Sequence, residues 1–179
     1  MVTMLSVLTL VADIIIVLAV LAWIVERFYK LAFLNPIKRF VRKYSLELLF
    51  LIPLIATLGS LYLSEIRGWT PCKLCWYQRI FVYPQVILVA TALVRKARGI
   101  IAYLIPLSLI GAVISTLHYT EQIRARLAPL DPLAPCDLSG VSCAATPIFH
   151  YGYITIPVMA FSAFVLILIV ALANKPKTE

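Results

Sequence analysis

The chain has 179 residues, of which 63% are hydrophobic and only 13% charged, with a formal net charge of +8. Its mean hydropathy is +0.98. A soluble domain is about half apolar and about a quarter charged, so a water-soluble globular fold is excluded. The basic excess is not assigned to a nucleic-acid partner, because its distribution follows the pattern of membrane orientation.

Five apolar blocks each approach the roughly 20 residues that a helix needs to cross a bilayer. The first, Leu5–Val25, is broken chiefly by Asp13. Ser45–Ser64 and Tyr77–Val94 follow, the latter polar only in its first turns, and then Ile100–Leu117 and Tyr153–Ala173. These runs are continuous rather than alternating, so they predict helices and not the strands of a closed barrel. Pro53, Pro84, Pro106 and Pro157 fall within them, a placement that membrane helices tolerate. The predicted fold class is an all-α integral membrane protein. Residues 45–179 are expected to hold four of the crossings, with outer loops 65–76 and 118–152, and residues 1–44 one N-terminal transmembrane helix and a basic cytoplasmic segment. Within that segment Phe28–Tyr44 alternates basic and apolar residues, which predicts a stretch lying on the anionic cytoplasmic leaflet. Asp13, an acid at membrane depth, is expected to make a structural hydrogen bond or to snorkel outward.

Orientation follows from Lys and Arg. The connection after the first block carries Arg27, Lys30, Lys38, Arg39, Arg42 and Lys43. The connection after the third carries Arg95, Lys96 and Arg98, and the tail carries Lys175 and Lys177. Five crossings put all three segments on one side, which the positive-inside rule makes cytoplasmic. The N-terminus, uncharged before Asp13, then lies outside. A cleaved signal peptide has its positive charges before the apolar run, so the first block is expected to be a retained helix.

That topology puts all four cysteines, Cys72, Cys75, Cys136 and Cys143, in the two outer connections. The extracytoplasmic side permits disulfides. Cys72 and Cys75 form a C-x-x-C just ahead of a helix, where the partial positive charge of the N-terminus favours a thiolate. Cys72, Cys75 and Arg79 are spaced i, i+3, i+7 and share one helical face. A guanidinium one turn below Cys75 stabilises a thiolate there or an anionic oxygen on an acceptor. The alternatives for this pair are a structural bridge or half of a zinc site, but redox chemistry is favoured and no metal ligands are assigned.

Cys136 and Cys143 lie in a proline-rich outer segment that reads as a flexible loop. Alone they would read as a structural bridge. Beside an active C-x-x-C they read as a second dithiol that passes electrons by thiol–disulfide exchange. His118 and His150, near the outer helix ends, are proton-relay candidates or interfacial anchors. Trp69, Trp76, Tyr77, Tyr119, Tyr151 and Tyr153 read as an outer aromatic belt.

The stretch Cys72-Lys73-Leu74-Cys75-Trp76-Tyr77-Gln78-Arg79, followed by a cysteine pair between the last two helices, resembles DsbB-type disulfide-forming membrane proteins. The resemblance runs from Ser45 to about Ala173. It implies a four-helix bundle in the cell (inner) membrane that reoxidises a thioredoxin-fold, DsbA-like thiol oxidase and passes two electrons to a membrane quinone, ubiquinone or menaquinone. By the same resemblance Cys75 contacts the quinone and Arg79 lines its site. Cys72 exchanges with the loop pair, Cys136 meets the partner and Cys143 resolves. His118 joins Arg79, Cys75 and Trp76 as a cofactor-site candidate on its position alone. The helix Leu5–Val25 precedes the family's core, and the six-residue spacing of the loop pair is like that of short-loop, BdbC-like relatives. Two other readings compete: a vitamin-K-epoxide-reductase-like enzyme, and a non-catalytic membrane protein with structural bridges.

Single cysteines introduced at Lys43, Lys96 and Lys177 in a cysteine-free background should resist impermeant thiol reagents in intact cells. Labelling at these sites would reverse the orientation.

Overall fold

The computed structural model describes residues 1–29, 34–127 and 141–174. Among these residues six α-helices follow one another: α1 (Val2–Phe28), α2 (Asn35–Lys43), α3 (Ser45–Leu61), α4 (Lys73–Arg95), α5 (Ile101–Leu127) and α6 (Ile156–Ala173). All but α2 are long and apolar enough to span a bilayer. The only β pairing among the described residues is an isolated bridge between His150 and Ile154. The protein is therefore an all-α bundle of five transmembrane helices.

Several boundaries differ from the apolar blocks, and each difference has a local cause. α4 starts at Lys73, so the C-x-x-C belongs to its first turn, with Cys72 as the extended N-cap residue. α5 continues past Leu117 to Leu127, because its polar extension is covered: His118 and Gln122 are both buried. The outer segment 118–152 thus begins as helix. Pro157 falls in the first turn of α6, where its missing N–H breaks no hydrogen bond.

Towards the basic end of the bundle, Leu49, Val89, Leu104, Ile167 and Ala171 pack in one apolar cluster. Above it Val82, Ala112 and Phe164 form a second. Two buried polar side chains of α4 and α5 pair within the bundle, as hydrocarbon favours. The Ser108 hydroxyl donates to Gln85 Oε1 at 3.2 Å, and Gln85 Nε2 donates to the Phe81 carbonyl at 2.8 Å.

α1 packs on α6 with one face and leaves the other exposed, including Leu18 and Trp23. Its docking contacts include polar side chains of α1 and of the bundle that pair across the interface. Ser6 Oγ lies 2.7 Å from His150 Nδ1. The Tyr153 hydroxyl donates to Asp13 Oδ2 at 2.9 Å, and the Ser162 hydroxyl donates to Asp13 Oδ1. Burial, and then the Asp13 contact, push the Tyr153 phenol up to about 12, so it remains a donor at physiological pH. At the opposite end Lys38 of α2 pairs with Glu26 of α1. Arg42 Nε donates to the carbonyl of Ala173 at the end of α6, at 3.2 Å.

α5 and α6 pack closely on each other. A Cβ added at Gly111 would overlap the Phe164 ring, which is 1% exposed and cannot turn aside. Gly111→Ala should therefore cost roughly 1–3 kcal/mol by overpacking, read as a lower Tm in detergent. Adding Phe164→Leu should recover part of it. An unchanged Tm in the single variant would show that this interface yields.

Candidate active site

The site is built where α4 begins. A π-helical turn at Tyr62–Ile66 widens the end of α3, and Gly68 takes a left-handed φ of 68°. The chain then folds back, with the Trp69 N–H donating to the Leu63 carbonyl at 3.1 Å. Pro71 leads into Cys72, whose carbonyl accepts the first helical bond from the Trp76 N–H at 3.1 Å. Cys72 is buried and Cys75 half-buried, both with free thiols, and their Sγ atoms are 3.3 Å apart.

Against Cys72 stands His118 of α5, 2% exposed. Its Nε2 lies 3.7 Å from Cys72 Sγ and 3.1 Å from the Cys143 carbonyl oxygen. Its Nδ1 lies 3.3 Å from Gln78 Nε2. With the Gln78 amide donating to Nδ1, the ring proton sits on Nε2 and faces both Cys72 and Cys143. A hydrogen bond from the Cys75 thiol pulls the Cys72 thiol down to about 4, overcoming burial, and the His118 ring adds to the shift. Cys72 is thus a thiolate above that pH and loses its charge as the pH falls through it.

Arg79 lies one turn further along α4. Its Nε donates to Ser60 Oγ at 3.0 Å and its Nη2 to the Ser60 carbonyl at 3.2 Å. The guanidinium carbon is 5.1 Å from the Trp76 ring centroid and 5.9 Å from that of Tyr83. These contacts hold a charge at membrane depth that would be costly unpaired, and they fasten α4 to α3. Cys75, Arg79 and Ser60 all face a cavity of about 400 Å³, which is otherwise lined mainly by apolar side chains. That volume lies within the roughly 300–1,000 Å³ of small-molecule sites.

The loop before α6 is packed where it is described, contrary to the flexible segment expected. Gln122 Nε2 donates to the Ala145 carbonyl at 3.1 Å. Cys143 is disulfide-bonded and 1% exposed. Of the residues singled out from sequence, Cys72, Cys75, Arg79, His118 and Cys143 come together, while Cys136 lies outside the described residues. Trp76 does not line the cavity; it is 54% exposed and backs Arg79 instead. His150 turns to α1 rather than to the cysteines. Gln78 and Ser60 went unnoticed in the sequence, although a glutamine inside an apolar membrane helix is itself a signal. The Cys72, Cys75 and His118 donor atoms lie within 4.8 Å of one another, close enough to share a soft metal ion. A closed structural zinc site needs a fourth ligand.

In a Cys136→Ser, Cys143→Ser background, the thiolate absorbance of the reduced protein should stay nearly flat from about pH 6 to about pH 8, where an ordinary thiol would be ionising. Adding Cys75→Ser or His118→Ala should move the onset upward. An ordinary thiol titration in that background would mean that Cys72 carries no stabilised charge.

The profile of a family described as disulfide bond formation protein DsbB matches residues 42–174. Disulfide bond formation protein C of Bacillus subtilis (strain 168) is 45% identical over 120 residues, covering 67% of this chain and 84% of that protein. A probable disulfide formation protein of Metapseudomonas resinovorans is 35% identical over 133 residues, 74% of this chain and 90% of that one. Another, from Coxiella burnetii (strain RSA 493 / Nine Mile phase I), is 38% identical over 127 residues, 71% and 84% of the two chains. No solved structure matches this chain. With its paired thiols set at the head of a membrane helix, the chain belongs to the DsbB family of disulfide-bond-forming membrane redox enzymes.

Proposed function

We propose that this enzyme is a thiol:quinone oxidoreductase that reoxidises a thioredoxin-fold, DsbA-like dithiol partner at the extracytoplasmic face of the cell (inner) membrane. Residues 45–179 carry the chemistry and residues 1–44 are appended to them. The observation that carries the reading is the setting of Cys75. It lies beside Cys72 on one side and on the wall of a largely apolar, 400 Å³ cavity on the other. A quinone fits there: its tail requires apolar walls, and the Nη1 end of Arg79, unpartnered among the described residues, is available to a carbonyl oxygen. The membrane quinone, when bound, accepts two electrons and two protons.

The chain's own residues supply the rest. Cys143 is too buried for a partner to attack, which supports Cys136 as the residue that meets the partner and Cys143 as the one that resolves. The partner's two thiols reduce the loop disulfide and become a disulfide themselves. The loop dithiol then attacks a Cys72–Cys75 disulfide at Cys72, releasing Cys75 as the thiolate on the cavity wall. The second loop cysteine next closes the loop disulfide and expels Cys72. A low pKa makes Cys72 a good leaving group in this step, and His118 Nε2–H stands beside the sulfur to donate to it. Each turn leaves the loop oxidised and the C-x-x-C pair reduced, with its two electrons next to the cavity. Arg79 favours negative charge on Cys75 and on an oxygen opposite it.

The test is quinone reduction by the purified full chain supplied with a reduced thioredoxin-fold dithiol protein and a decyl-tailed benzoquinone. Absence of any reduction would overturn the proposal. In the same assay Arg79→Gln loses one charged hydrogen bond, worth about 1.5–3 kcal/mol, so quinone kcat/KM should fall about 10–150-fold. Arg79→Lys should fall less. Both should still exchange disulfides with the partner. Normal quinone kinetics in a folded Arg79→Gln protein would limit Arg79 to its bond with Ser60.

A further inference from the structure

The family match begins at residue 42, so α1 lies wholly outside it, yet α1 forms part of the cavity. Leu5, Leu8, Thr9, Ala12 and Ile15 line it, spaced as one face of a helix. From Leu5 to Ile15 this face spans about 15 Å along the helix axis. It offers no free polar group. The Thr9 hydroxyl donates to the Leu5 carbonyl at 2.8 Å. Leu5 sits on Gly59 of α3, where an added Cβ would lie 3.0 Å from Leu5 Cδ2. The cavity therefore has two unlike sides. Cys75, Arg79 and Ser60 give it a polar, redox-active end, and α1 gives it a purely apolar flank.

We infer that α1 is the tail-binding wall of the quinone site: its Leu5–Ile15 face holds the first part of the isoprenoid chain while the headgroup meets Cys75 and Arg79. The inference rests on the quinone reading above and adds a determinant that lies outside the family's matched region. The occupant is argued from continuity. A ligand that places a polar ring at Cys75 has the α1 face as its lining on the lipid side, and a headgroup bearing a long apolar chain has the same two-ended character as the cavity. The polar bonds of Ser6 and Asp13 to His150, Tyr153 and Ser162 fix which face of α1 turns inward. A helix held by apolar contact alone could rotate in lipid. The wall is thereby held in register with the thiols.

The test uses the full-length protein in detergent. Two probes, a decyl-tailed benzoquinone and the same headgroup without its tail, are titrated by quenching of tryptophan fluorescence. Quinone retained through purification is measured separately by solvent extraction. The unmodified chain should bind the tailed probe more tightly. Ala12→Phe fills the flank and should weaken the tailed probe about tenfold or more, with little change for the tail-less one, and should lower the retained quinone. Ala12→Leu should fall between the two, and carries the test if the phenylalanine variant does not fold. Leu21→Phe, on the same helix but away from the cavity and exposed, should match the unmodified chain. An undiminished tail preference in folded Ala12→Phe and Ala12→Leu overturns this inference and leaves the thiol:quinone assignment standing. So does extraction of a phospholipid that the tailed probe cannot displace, which would make the flank a lipid acyl site. Binding of neither probe by the unmodified chain overturns the quinone assignment itself.

Discussion

A thiolate at the edge of a hydrocarbon layer must be surrounded by donors, and the cysteine-bearing half of this protein is arranged around that requirement. Cys72 occupies the N-cap of α4, where unpaired backbone N–H groups favour negative charge. The Cys75 thiol and the His118 ring add donors from the side. His118 can do so only if its own orientation is fixed, and Gln78 fixes it from within α4. The same Nε2 that faces Cys72 also contacts the Cys143 carbonyl. One imidazole thus joins the start of α4, the middle of α5 and the loop that carries Cys143. The extra length of α5 follows from the same constraint, since its last turns provide the surface on which that loop is laid.

The two halves of the bundle divide their work by polarity. Towards the basic end, Leu49, Val89, Leu104 and Ile167 pack without any ionisable group. That packing gives the redox end a rigid base. Close approach is achieved with small residues, as hydrocarbon surroundings favour: Gly111 lies under Phe164, and Gly59 under Leu5. Arg79 sits between the two regimes. Ser60 and the Trp76 and Tyr83 rings satisfy part of its charge, and the remainder of the guanidinium is available to the cavity. Structural anchoring is therefore carried by Nε and Nη2, which leaves the Nη1 end of the same side chain to the cavity.

α1 illustrates how a helix is added to an existing membrane bundle. Apolar packing against lipid and against protein differ little, so apolar residues alone do not say which face of a new helix turns inward. Ser6 and Asp13, both on the inward side, make that choice through His150, Tyr153 and Ser162. All three partners belong to α6 or the loop before it, so the added helix is referenced to the segment that also leads from Cys143. The Lys38–Glu26 pair and the Arg42 bond to Ala173 tie the basic segment to the opposite end.

How much of this could be read without coordinates depends on the range of the interaction. Transmembrane character, the number of crossings and the C-x-x-C with its in-register arginine are written in runs and short spacings, because bilayer thickness and helical pitch are local rulers. Asp13 was marked by its cost at membrane depth, though not its partners. The sequence also carried the four cysteines as two pairs, together with the likeness to disulfide-forming membrane proteins. Only the tertiary structure decided that His118 belongs to Cys72, that Gln78 orients it, and that Trp76 backs Arg79 instead of lining the cavity. The burial of Cys143, in a segment whose prolines suggested a free loop, was equally undecidable. Such facts depend on which helix faces meet. Residues 46 positions apart, as Cys72 and His118 are, are brought together by packing, for which the chain contains no local ruler.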